Sequence, residues 1–225
     1  FGHITSASFA FHAHGLTATA WLTLVGFQAW SAHQTDRRLH RIVGPAAFGI
    51  APAFAAAAML VLHSMATKFA TRSDPFYAAL GARLGGHDII STIALIGFVA
   101  FALRWRRKIV LHGASMLATA LLVLPPVISR LPIPRFFHSG ELIVIALSAL
   151  AAWREPRARG VFAAVAVLQI LHIAAFETVW ASLAWARAFA AFSHLPVAPF
   201  AVASGVAALS FLLLAFRAGK VAAKA

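Results

Sequence analysis

The sequence predicts an all-α fold, a polytopic transmembrane helical bundle of about seven spans. Three observations predict it. The 225 residues are 61% hydrophobic and only 11% charged. Apolar runs of spanning length follow one another along the chain, and the basic residues sit in the short breaks between them. Soluble domains are about 45–50% apolar and about 25% charged. With a mean hydropathy of +0.84, this chain has too little polar surface to face water on every side, so lipid must cover much of it.

A helix needs about 20 mainly apolar residues to cross the hydrocarbon. The runs that meet this requirement are Phe9–Ala32, Ile42–Ala66, His87–Leu103, Ile109–Ile128, Gly140–Trp153, Gly160–Ser182 and Pro196–Phe216. Gly140–Trp153 is short and is expected to begin a little earlier. Inside lipid each backbone N–H needs a partner in its own helix or in a closed barrel, and these runs are too long for barrel strands. Thr67–Gly86 reads as the longest loop, with Asp74-Pro75 and Gly85-Gly86 as turn signals and a short amphipathic stretch at Phe76–Leu84. Trp180–Phe192 reads as a second amphipathic stretch along the outer surface. Pro45 and Pro52 in the second run and Pro125-Pro126 in the fourth are expected to bend their helices. No internal repeat, soluble domain or cleavable signal is read, so residues 1–225 form a single transmembrane domain. A chain opening at Phe1 leaves room for an earlier start.

Orientation follows from the Lys and Arg positions. One set of connections holds 13 of them: Arg37, Arg38, Arg41, Arg104, Arg106, Arg107, Lys108, Arg154, Arg157, Arg159, Arg217, Lys220 and Lys224. The other holds 6: Lys68, Arg72, Arg83, Arg130, Arg135 and Arg187. The richer side is expected to be cytoplasmic, which puts the N-terminus outside, the C-terminus inside and the span count at an odd number. Trp30, Trp105 and Trp153 at inner ends, and Trp180 and Trp185 at an outer end, suit interfacial depth. The net charge of +13 therefore reads as topology. A nucleic-acid binder would gather its charge on one soluble face, so no nucleic-acid partner is expected. With no Cys, disulfides, thiolate metal sites and Cys nucleophiles are excluded.

Histidine is the informative residue. Of eleven, His3, His12, His14, His63, His87, His138 and His194 fall at or near outer span ends. His172 lies within the outer half of the sixth span, and His33, His40 and His112 lie toward the cytoplasm. Asp88, Glu141 and Glu177 also fall near outer ends. Ionisable groups at membrane depth are costly and usually face the protein interior. Helical spacing sorts them into stripes: His14, Thr17, Trp21 and Gln28; His87 with Ser91 and Asp88 with Thr92; His112, Ser115 and Thr119; His138 and Glu141; and Gln169 with His172, Phe176 above them. In the simplest reading these groups are solvated at the interface or hydrogen-bond a neighbouring helix, and His33 and His40 belong to a topogenic basic loop.

The sharper reading is a haem or metal site, because imidazole is a common ligand for iron, copper and zinc. His14, His63, His87 and His172 are the candidates to hold a b-type haem or other cofactor. His14, His87, Asp88, His172 and Glu177 are the candidates for a transition metal. A proton- or ion-coupled transporter using the same groups and a membrane hydrolase with Asp88 or Glu177 as base stay open. The small size and the lack of a complete catalytic motif point first to an accessory or structural subunit of a larger membrane complex, of which respiratory and other redox complexes are examples.

Phe11-His12-Ala13-His14-Gly15, then Trp21 and Gln28, then Arg38-Leu39-His40-Arg41 and Gly44, resembles a family of uncharacterised bacterial multi-spanning integral membrane proteins, whose first two helices read F-H-x-H-G…W…Q…L-H-R…G. Leu111-His112-Gly113-Ala114-Ser115-Met116-Leu117-Ala118-Thr119, ending at Pro125-Pro126, resembles the later H-A-R-Y-M-L-A-T…P-P pattern, with Gly-Ala-Ser in place of Ala-Arg-Tyr. The resemblance implies a multi-pass bacterial inner-membrane protein with the lipid bilayer, and other membrane subunits, as partners. It implies no assigned activity.

Overall fold

The computed structural model describes residues 8–34, 37–129, 131 and 138–221, the side chains of 220 and 221 excepted. His3, Arg130, Arg135 and Lys224, and the side chain of Lys220, lie outside the described residues. Among those described there is no strand. The helices are α1 (Phe9–Ala32), α2 (Arg38–Val43), α3 (Ala47–Thr71), α4 (Pro75–Arg104), α5 (Ile109–Ile128), α6 (Ser139–Arg154), α7 (Arg159–Glu177), α8 (Leu183–Phe192) and α9 (Val197–Val221). Single 3₁₀ turns, Gly44–Ala46 and Pro156–Ala158, lead into α3 and α7.

Among the described residues, five segments are long and apolar enough to cross a membrane: Arg38–Thr71, Pro75–Arg104, Ile109–Ile128, Pro156–Glu177 and Val197–Gly219. The apolar helices suit contact with a lipid bilayer and make this a multi-pass membrane protein. Of the seven expected runs, the first and fifth are not among the five. The first, α1, has the length, at 24 residues, but carries His12, His14 and Gln28. The fifth, α6, has 16 residues, about 24 Å of helix against a hydrocarbon core of about 30 Å.

Two further expectations are corrected. The long loop over Thr67–Gly86 is helix almost throughout, because α3 runs on to Thr71 and α4 starts at Pro75. Only Asp74-Pro75 acts as a turn. Asp74 caps α4 by accepting from the backbone N–H groups of Phe76 (3.0 Å) and Tyr77 (3.4 Å), and Pro75 takes the first helical position, where its missing N–H costs nothing. Gly85 and Gly86 are instead a packing notch within α4: a Cβ on Gly85 would collide with the Phe189 ring, and one on Gly86 with the Trp180 indole. The sixth run also ends early, at Glu177, and a turn leads to α8, whose Ser182 cap accepts from Trp185 N–H at 3.2 Å. Pro45 sits in the 3₁₀ turn before α3, so of the second run's two prolines only Pro52 is inside the helix.

The helices enclose two apolar cores. The larger, built on Trp21, Phe54, Leu95, Val99, Val144, Phe162 and Leu212, runs through the bundle. The smaller joins Val61, Leu62, Met65, Ala66, Ala82 and Phe189, where the ends of α3 and α4 receive α8. At 30 residues, α4 is about 45 Å long, longer than the hydrocarbon, and its surplus is what α8 packs against. Leu16, Ile93, Val167, Ile170 and Leu214 lie exposed on the outer faces of their helices, as lipid-facing side chains would.

Candidate functional site

Three helices bring their histidines and carboxylates to one place. The His87 ring on α4 and the His172 ring on α7 face each other with centroids 4.1 Å apart and planes 33° from parallel. His172 is 2% exposed. Its Nδ1 lies 3.4 Å from Gln169 Oε1, one turn back on the same face, while its Nε2 is buried without a partner. A buried polar atom left unpaired costs about 1–3 kcal/mol, so this nitrogen is one the fold tolerates rather than needs.

His138 closes the cluster from the start of α6. It sits at φ 64°, a left-handed conformation that costs an L-residue roughly 1–2 kcal/mol and that collects at functional sites. In that position its Nε2 is 2.9 Å from Glu177 Oε1 and its Nδ1 3.9 Å from Glu141 Oε2. The Glu177 side chain is half exposed and also takes the Arg83 guanidinium at 3.3 Å. Arg83 in turn stacks over Phe176, which meets the His138 ring edge-on at 5.3 Å. A half-exposed carboxylate is thereby joined through His138 to Glu141, at the same end of the bundle as the stacked His87–His172 pair.

The other candidates lie elsewhere. His14 packs on Phe54, ring centroids 4.8 Å apart. His63 Nε2 is 3.1 Å from the Leu195 carbonyl, and its ring meets Phe192. Asp88 follows His87 on α4 and projects about 100° around the helix from it. Among the described residues no three His, Asp or Glu converge as metal ligands do. The His87–His172 pair does not fit a haem either. With metal–nitrogen bonds of about 2.0–2.1 Å, two imidazoles on opposite sides of one iron would hold their centroids roughly 6 Å apart, not 4.1 Å.

A second polar cluster occupies the opposite end of the bundle. Trp21, fully buried, donates its indole N–H to Thr119 Oγ1 at 3.0 Å. With its amide oriented to accept from Gly44 N–H at 3.0 Å, Gln28 donates to His40 Nδ1 at 2.6 Å and to the His40 carbonyl at 3.2 Å; that arrangement leaves His40 its proton on Nε2. The His40 ring is 6.3 Å from His112, whose Nδ1 is 2.9 Å from the Ala102 carbonyl.

No family model, curated protein or solved structure matches this chain.

The second cluster is therefore read from its geometry alone. Sequence reasoning missed it by assigning His40 to a topogenic loop. A signal was present: helical spacing puts Trp21 with Gln28 on one stripe and His112 with Thr119 on another, and here the two stripes meet around His40. Of the expected stripes, Gln169, His172 and Phe176 are all buried, as are Trp21, Gln28, Ser115 and Thr119, whereas His14, Thr17 and His112 are only half-buried. His87 pairs across the bundle with His172, whereas its expected companion Ser91 has a buried, unpartnered hydroxyl.

Proposed function

We propose that this is a seven-span bacterial inner-membrane protein with its N-terminus outside, in which the Glu177–His138–Glu141–His87–His172 cluster takes up protons from the outer face for proton- or ion-coupled transport. The observation that carries this reading is the gathering of titratable groups at one end of the bundle, the Glu177–His138–Glu141 set beside the His87–His172 pair, whose His172 Nε2 is buried without a partner. Glu177 is the entry, open to water. His138 is held in a strained backbone conformation between two carboxylates, where an imidazole can receive a proton on one nitrogen as it releases one from the other. His172 Nε2 is the inner acceptor. Ser91, one turn along α4 from His87, and Ser148, two turns along α6 from Glu141, each have a buried hydroxyl lacking a partner. Intramembrane ionisable groups facing a bundle interior are the usual parts of such relays.

Seven spans result when α1 and α6 join the five long apolar segments, and the 13-to-6 division of basic residues calls for an odd number. α1 is counted as a span because its 24 residues are long enough to cross and its Trp21 is buried in the bundle core. The test is proton flux into liposomes holding the purified protein and a pH-sensitive dye, driven by an imposed potential. We expect flux above that of empty liposomes, reduced at least tenfold by Glu177→Gln or His172→Leu and unchanged by His63→Ala. Flux equal to that of empty liposomes would overturn the reading and return the accessory-subunit one.

A further inference from the structure

An apolar groove of about 480 Å³ opens on the outside of the bundle between α4, α5 and α7, lined by no residue of either polar cluster. Gly97, Phe98 and Phe101 of α4 form one wall, Leu111 of α5 and Gly160 of α7 the others, and Arg157 stands at one end. A Cβ placed on Gly97 or Gly160 would meet no atom within 4 Å, so the two glycines leave open space that the bundle does not use for its own packing. Volumes of about 300–1,000 Å³ are those of ligand sites.

Charge identifies the occupant. The end of the groove lies where the connections Arg104–Lys108 and Arg154–Arg159 converge, with seven basic residues and the single acid Glu155. Most of the seven are engaged. Arg106 donates to the carbonyls of Leu103 (2.9 Å) and Phe216 (3.0 Å). Arg104 and Lys108 lie over Trp105, and Arg154 over Trp153. Arg157 alone of them lines the groove, and it is bound by Glu155 through Nε (2.9 Å) and Nη2 (3.1 Å). A guanidinium has five N–H donors in a fork suited to phosphate, so the Nη1 edge of Arg157 remains for an anion.

We propose that the groove seats an acyl chain of one anionic glycerophospholipid, with its phosphate on Arg157. This rests on the membrane reading of the bundle and is independent of proton handling. A zwitterionic lipid shares the chain and the phosphate but carries its own cation into a basic cluster, which disfavours it.

The experiment is native mass spectrometry of the detergent-purified protein with phosphatidylglycerol or phosphatidylcholine added. We expect one phosphatidylglycerol retained per chain, and phosphatidylcholine retained several-fold less. Arg157→Gln should weaken phosphatidylglycerol retention about fivefold. Glu155→Gln should strengthen it by releasing the guanidinium. Gly97→Leu with Gly160→Leu should abolish it, because the added side chains occupy the groove without meeting neighbours; size-exclusion profiles report whether each variant stays folded. Equal retention of the two lipids, or retention unchanged when the groove is filled, would overturn the proposal. A protein monodisperse without detergent would instead overturn the membrane reading.

Discussion

His172 and Trp21 are both buried polar side chains on spanning-length helices, and the structure treats them differently. The Trp21 indole N–H has Thr119, whereas His172 Nε2 has nothing. Trp21→Phe removes the hydrogen bond and should cost about 1 kcal/mol, read as a lower thermal midpoint in detergent. His172→Leu removes an unpaired nitrogen and keeps the bulk, so it should leave the midpoint equal or higher while abolishing proton uptake. A large destabilisation by His172→Leu would show that the imidazole is structural. At the surface, Arg157 bonds both oxygens of Glu155 and holds that carboxyl below its ordinary range. A carboxyl with a lowered folded value keeps its contribution above the ordinary range and loses it only as pH falls through the lowered value. The pair should therefore persist at pH 7 and pH 5 alike, and phosphatidylglycerol retention should match at the two.

At the scale of the element, glycine spacing decides which helices meet. Gly85 and Gly86 let Phe189 and Trp180 lie against the α4 backbone, and Trp185 Nε1 donates to the Ala82 carbonyl at 2.6 Å, so α8 is held by three aromatic residues. Gly140 likewise lets α6 approach the Pro125 backbone, where a Cβ would come within 2.9 Å of its carbonyl oxygen. Gly86→Ala should undock α8 at a cost of about 1–3 kcal/mol, as overpacking does. Gly97→Ala, facing open space, should leave stability unchanged or raise it slightly through helix propensity. Paired thermal melts of the two variants check this, and equal midpoints would refute the notch. The Gly85-Gly86 pair reads as a turn in the sequence because Gly-Gly is a turn signal in a polar context. Only its partners across the bundle reveal it as a contact surface.

For the whole molecule, topology is directly accessible because the chain has no Cys. Ser73→Cys, between α3 and α4, should react with an impermeant maleimide added to intact cells. Arg107→Cys, between α4 and α5, should react only after permeabilisation. Labelling of both from outside would contradict a spanning α4. The two ends of the bundle also differ in chemistry: the Glu–His cluster and the α8 cap occupy one, and the basic connections with the His40–His112 pair the other. The acids thus gather at one end of the bundle and the basic connections at the other.

Helical spanning segments, the inward stripes at Trp21–Gln28, Ser115–Thr119 and Gln169–Phe176, and the bounds Phe9–Ala32 and Ile109–Ile128 are determined by the sequence itself. Hydrophobic run length and 3.6-residue periodicity are local properties, readable without knowing what lies opposite. Which histidines face each other was decided only in three dimensions. His87 and His172 are 85 positions apart in the numbering, as His40 and His112 are 72 apart, and no local pattern encodes the rotation of one helix against another. That rotation follows from small residues and aromatic rings fitting across the bundle, and it turned a supposed four-histidine ligand set into one stacked pair, with His14 and His63 packed elsewhere.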